Sequence, residues 1–141
     1  MSVDNLSFLD TNILIYAFDT STSEKHQKAS KLFEELWVEE NGCVSIQVLQ
    51  EFYVNVTRKA LQALEPEQAA TIIRDLSNWK VHRPVTEDVL AAISIQQKYQ
   101  ISFWDAMIIR SAKESNCKIL YSEDLSNGQN YGGVKVSNPL L

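Results

Sequence analysis

The chain has 141 residues and a mass of 16.0 kDa, about one domain at the usual ~100–200 residues per domain. Hydrophobic residues make up 45% and charged residues 22%, an ordinary globular mix, and the longest apolar run, Ile13 to Phe18, falls far short of the ~20 residues that span a bilayer. A formal net charge of −5 argues against an unassisted nucleic-acid binder, which would present a basic surface.

The N-terminus, MSVDNLSFLD, carries acids early and no basic segment, so it does not read as a signal peptide and a cytoplasmic chain is expected. Val3 to Leu9 reads as a strand and Thr11 to Phe18 as a short helix after it. Ser23 to Glu40 is amphipathic, with Ala29, Leu32, Phe33, Leu36 and Trp37 at helical spacing between Lys and Glu. Asn41-Gly42 is expected to end that helix, glycine being favoured just past a helix. Cys43 to Ser45 reads as a short buried strand, Ile46 to Leu61 as the next helix, and Pro66 as the first turn of a helix reaching Trp79. Val81 to Val85 is a strand candidate. Thr86 suits the N-cap of a helix to Tyr99, with Glu87 and Asp88 complementing its dipole. Ser102 opens a further helix to about Ser115. Lys118 to Tyr121 then reads as a strand, Ser126 to Gly133 as a polar loop holding three of the four glycines, and Val134 to Val136 as a last strand. Strands separated by helices predict one α/β domain over residues 1–141, its mainly parallel central sheet flanked by helices on both sides.

In such a sheet ligands bind beyond the carboxyl ends of the strands. Asp10 ends the run NLSFLD and Asp124 follows KILYSED, so two acids fall there. Asp10 and Asn12 can each cap the helix that follows, and a cap needs only one of them. Asp105 is a single charge in the apolar stretch SFWDAMII, where a carboxylate needs a partner or a cation. Ser102-x-x-Asp105 also has capping-box spacing, and the two roles are compatible. Glu51 lies on a polar stripe with Gln47, Gln50, Asn55 and Arg58, which by itself reads as a solvated helix face. Ser122-Glu123-Asp124 before a polar loop is equally ordinary turn chemistry.

Converging carboxylates repel one another and raise each other's pKa unless a cation joins them. An all-oxygen donor set without His or Cys suits Mg²⁺ or Mn²⁺ better than Zn²⁺. Cys43 and Cys117 form no metal-ligand spacing and read as buried, reduced thiols. His26 and His82 sit in no suggestive motif and are given no catalytic role. Trp37, Trp79 and Trp104 stand among helical apolar positions and read as core or interface residues.

Together these segments resemble the PIN domain, and within it the VapC-type toxins of prokaryotic toxin–antitoxin pairs. The resemblance runs through FLDTNILIYAFD, SIQVLQEFYVNVTR, ISFWDAMIIRSAKESNCKILYSEDL and the NP near the C-terminus. It implies that Asp10, Glu51, Asp105 and Asp124 form the catalytic metal site, supported by Thr11, Asn12 and Ser122, with Asp124 rather than its neighbour Glu123 as the fourth acid. It further implies a metal-dependent endoribonuclease using Mg²⁺ or Mn²⁺, an RNA substrate, a cognate antitoxin protein and a homodimer. Two divalent ions, at +4, would take the formal charge from −5 to about −1 and supply the positive field that phosphate requires. Arg58, Arg110 and Lys113 are candidates for further phosphate contacts, beside the plainer reading of a solvated face.

Three other classes compete. A phosphatase with an aspartyl nucleophile would want Asp-x-Asp after the first strand, where this chain has Asn12. A housekeeping RNA-processing nuclease would share every catalytic residue. A non-catalytic interaction module on the same fold tends to lose acids, and this chain keeps all four.

Overall fold

The computed structural model describes residues 5–58 and 63–141, so the starts of the expected first strand at Val3 and the end of the expected third helix at Leu61 lie outside the described residues. Among the described residues six strands form one sheet: β1 (Ser7–Leu9), β2 (Gly42–Ser45), β3 (Lys80–His82), β4 (Ile119–Tyr121), β5 (Asn130–Tyr131) and β6 (Val134–Ser137). The described residues also form six α-helices: α1 (Thr11–Phe18), α2 (Glu24–Glu39), α3 (Ile46–Arg58), α4 (Pro66–Leu76), α5 (Thr86–Tyr99) and α6 (Phe103–Glu114).

The strand order is β3-β2-β1-β4-β6-β5, with every pair parallel except β5 with β6. Parallel neighbours need crossover helices, and such crossovers are right-handed. The chain steps outward from β1 to β2 to β3 and then returns to β4 on the other side of β1. The same handedness therefore puts α1–α4 on one face and α5–α6 on the other. Contacts of α1 with α2 and α3, of α3 with α4, and of α5 with α6 agree. With both faces covered, β1 and β2 are buried at every residue, which is why SFL and GCVS lack an alternating pattern. Phe8, Leu9, Ile13, Val44, Phe52, Ile108 and Leu120 are among the fully buried side chains of the core. Among the described residues no helix is long and apolar enough to cross a membrane.

Several element ends differ from the sequence reading for local reasons. The helix from Ser23 ends on Glu40, whose φ of 56° supplies the left-handed turn, so Gly42 is not its terminator. Gly42 belongs to β2, where an added Cβ would lie 2.5 Å from the Trp79 ring. Trp79 itself sits beyond α4, which stops at Leu76, and stacks on Phe33 with ring centroids 5.3 Å apart. Gly42→Ala is therefore expected to lower stability by about 1–3 kcal/mol, the usual cost of overpacking, read as a lower urea midpoint with an unchanged slope.

The third strand is Lys80–His82 and not Val81 to Val85, because Pro84 brings no ladder donor and Val85 turns to cap α5. Thr86 is the first helical residue, and the cap bond runs from Val85 N to the Asp88 carboxylate at 2.8 Å. The polar loop after Ser126 contains β5, joined to β6 by Gly132 and Gly133 with φ of 62° and 106°. Two successive positive φ values are what a type I′ hairpin demands, so both glycines are required there.

Candidate metal centre

The strand order reverses at β1, with β2 and β3 on one side and β4, β6 and β5 on the other. The crevice beyond the carboxyl ends of β1 and β4 is the switch point where doubly wound sheets bind ligands. Asp10 is the first residue after β1, and Ser122, Glu123 and Asp124 follow β4. The first turn of α6 brings Asp105 to the same place. Asp10, Asp105 and Asp124 each offer a carboxylate oxygen, all within 4.8 Å of one another.

Asp10 is 5% exposed and firmly oriented. One carboxylate oxygen accepts from Thr11 N at 2.7 Å, which is also the N-cap bond of α1. The other accepts from Ser122 Oγ at 2.8 Å and from Asn12 Nδ2 at 3.5 Å. Capping and membership of the acidic cluster thus fall on one side chain. At α6 the duties are divided. Ser102 Oγ accepts from Asp105 N at 3.0 Å and caps the helix, while the Asp105 carboxylate joins the cluster. Asn12 Nδ2 donates to Asp124 at 2.9 Å, and Ser122 Oγ accepts from Asp124 N at 3.1 Å.

Glu51 is outside the trio but connected to it. Thr11 Oγ1 donates to one of its oxygens at 2.7 Å, and Gln47 Nε2 reaches the other at 3.4 Å. Gln47 also donates to Trp104 O at 3.3 Å, tying α3 to the start of α6. Thr11, Asn12 and Ser122 therefore each bridge two parts of the acidic cluster.

The electrostatics of the site are dominated by burial. Burial is the main cause that lifts Asp10 from 3.8 to about 7; the Ser122 and Thr11 bonds oppose the rise, and the charges of Asp105 and Asp124 add to it. Burial likewise raises Asp105, against its bond with Ser102, with Asp124 and Glu51 contributing to the rise. Acids pushed upward in this way favour a cation among them, and three converging carboxylates, with no His or Cys in the cluster among the described residues, are compatible with a hard divalent ion.

Glu123, the neighbour that could be taken for the fourth acid, faces elsewhere. Its carboxylate accepts from Tyr16 Oη and from Lys25 Nζ, both at 2.8 Å. Burial opposes its charge, but the bonds from Lys25 and Tyr16 outweigh it and hold its pKa below the ordinary Glu value. This trio escaped the sequence reading because Glu123 lies 98 and 107 positions from its two partners.

Other residues singled out by sequence have structural partners. Arg110 is engaged by Asp88 at 2.8 Å and Glu114 at 2.7 Å, which ties up its guanidinium. His82 bonds Ser111 at 2.8 Å and lies 3.4 Å from Asp88, a Ser-His-Asp chain whose serine is fully buried and closed to substrate. His26 Nδ1 is bonded to Tyr16 O at 2.9 Å. Cys43 and Cys117 are free and buried. Trp104 is 62% exposed at the start of α6, so of the core and interface readings it does not take the core one.

The PIN domain family model matches residues 7–126, and the chain belongs to the PIN domain family. No curated protein matches the sequence. Among solved structures, a toxin–antitoxin complex from Klebsiella pneumoniae is similar with a TM-score of 0.71 at 19% identity, over 94% of this chain and 97% of that one. VapC20 of Mycobacterium tuberculosis, a sarcin–ricin-loop-cleaving toxin, is similar with a TM-score of 0.65 at 20% identity, over 84% of this chain and 89% of that one. A DNA-bound VapBC from Salmonella typhimurium gives 0.66 at 17% identity, over 96% and 98%. At these identities the likeness establishes a common fold.

Proposed function

We propose that the chain is a cytoplasmic endoribonuclease that hydrolyses RNA phosphodiester bonds with Mg²⁺ or Mn²⁺, and that it serves as the toxin of a toxin–antitoxin pair. The observation that carries the activity is the convergence of Asp10, Asp105 and Asp124 at the switch point, with the buried member lifted to about 7. Asp10, Asp105 and Asp124 would hold the ion, with Glu51 approaching from α3. A divalent cation supplies charge neutralisation and Lewis-acid activation of water for in-line attack on phosphorus.

The chain's own residues orient this chemistry. Thr11 N and Ser122 Oγ fix the two oxygens of Asp10, and Thr11 Oγ1 turns Glu51 toward the same crevice. Asn12 restrains Asp124 through its amide nitrogen and the Glu123 peptide through its oxygen, which accepts from Glu123 N at 3.2 Å. Such hydrogen-bond partners of ligating carboxylates set both affinity and geometry.

The partner reading is supported by the neighbours, which include a toxin–antitoxin complex and VapBC assemblies bound to DNA. Homodimer formation is supported by the exposed apolar residues Val89, Leu90 and Ile93 on α5, a surface of the kind that marks protein contacts.

Purified chain is expected to cleave RNA with added Mg²⁺ or Mn²⁺, to stop when EDTA removes the metal, and to leave 5′-phosphate and 3′-hydroxyl ends. Cleavage that persists in EDTA would refute the metal reading. Expression is expected to arrest growth until the product of the adjacent gene is supplied. Cleavage without arrest would instead favour a housekeeping RNA-processing nuclease.

A further inference from the structure

The three acids of the central trio are not held equally. Asp10 is buried under three hydrogen bonds, and Asp105 stands on a helix whose first turn is capped by Ser102. Asp124 is exposed, and its carboxylate has one bond, from Asn12. Repulsion among the acids is most easily relieved by moving the member least restrained, which is Asp124. Its position depends on the turn that carries it.

That turn is fastened through the residue before it. Glu123 N donates to Asn12 at 3.2 Å, and the Glu123 carboxylate is gripped from two helices, by Tyr16 on α1 and Lys25 on α2. Lys25 also lies 4.9 Å from the centroid of the Tyr16 ring, so the two donors brace each other. Every anchor on Glu123 therefore comes from the α1–α2 layer, which also presents Thr11 and Asn12.

We propose that Glu123 is a positioning residue for Asp124, and that the Tyr16–Glu123–Lys25 clamp holds the turn after β4 so that Asp124 stays on the metal site. This rests on the reading of Asp124 as a metal ligand. Glu123 touches neither metal nor substrate and acts only through its neighbour.

The test is Mn²⁺ binding by the purified chain, followed by calorimetry. Glu123→Ala is expected to weaken Mn²⁺ binding by about 10- to 100-fold, the range for removing a partner of a ligating group. In an Asp124→Asn background the same substitution should cost nothing further, since its route of action is gone. A Tyr16→Phe/Lys25→Met variant should reproduce the loss and carries the test should Glu123→Ala fail to fold. Glu123→Gln, which keeps an acceptor oxygen, should lose less. Wild-type affinity in Glu123→Ala, or a loss that adds in full to that of Asp124→Asn, would overturn the clamp. Unchanged affinity in Asp124→Asn would instead remove Asp124 from the site and the proposal with it. Wild-type chain that binds Mn²⁺ yet leaves RNA intact would refute the nuclease reading while the clamp is still judged by affinity.

Discussion

In metal-free buffer at pH 8, Asp10→Asn is expected to melt above the wild type while losing metal-dependent cleavage. The Asp10 carboxylate is buried and lifted from 3.8 to about 7, chiefly by burial. Between those two values the folded state holds a proton that the unfolded chain has released, so stability falls as pH rises through this window. Above pH 7 the folded protein carries the full cost of a buried charge, on the order of 4 kcal/mol for a shift of about three pKa units. Asparagine removes the charge and keeps an acceptor for Thr11 N, so the variant should gain on the order of 10 °C at pH 8. The gap should narrow below about pH 7 and close near 3.8. Added Mn²⁺ should raise the melting point of the wild type and leave that of the variant unmoved, because only binding to the folded state stabilises. A variant that melts below the wild type at pH 8, or one that cleaves RNA normally, would contradict this account of Asp10.

The second large effect concerns Asp105, whose two roles can be separated experimentally. Asp105→Asn should cut metal-dependent cleavage by about 10³-fold or more, a loss typical of removing one electrostatic element from an active site. It should not lower the melting point, because the helix cap runs from Asp105 N to Ser102 Oγ and needs no carboxylate, and the carboxyl removed is itself pushed upward in pKa by burial. Ser102→Ala supplies the converse. It removes the cap and should cost about 1 kcal/mol of stability while most cleavage survives. Activity lost in Ser102→Ala and retained in Asp105→Asn would assign the segment to helix capping alone.

Much of this could be read from the sequence because parallel sheets place ligands at strand ends. Asp10 and Asp124 were found by that rule, and the structure sets both beyond β1 and β4. Asp105 was legible because a lone charge in SFWDAMII demands a reason. Glu51 was not, since a helix face bearing Gln47, Gln50, Asn55 and Arg58 looks solvated until Thr11 is seen donating to it across 40 positions. The Tyr16–Glu123–Lys25 cluster was invisible for the same reason, both contacts to Glu123 being long-range. Gly42 misled because two different demands, a left-handed turn and a missing Cβ, both select glycine. Here Glu40 met the first and the Trp79 ring imposed the second. The hairpin of β5 was hidden by its brevity, with only Asn130 and Tyr131 in the strand.

The pairing of β1 with β4 has a consequence for the order in which the protein comes into being. Asp10 is made early and Asp124 late, and the bond from Ser122 to Asp10, one of those that link their two segments, spans 112 positions. No carboxylate trio exists until β4 has emerged and docked beside β1. Contacts of such long range are the slow ones in folding. An unfinished chain on the ribosome is thus unable to bring the three acids together until synthesis has passed the turn after β4.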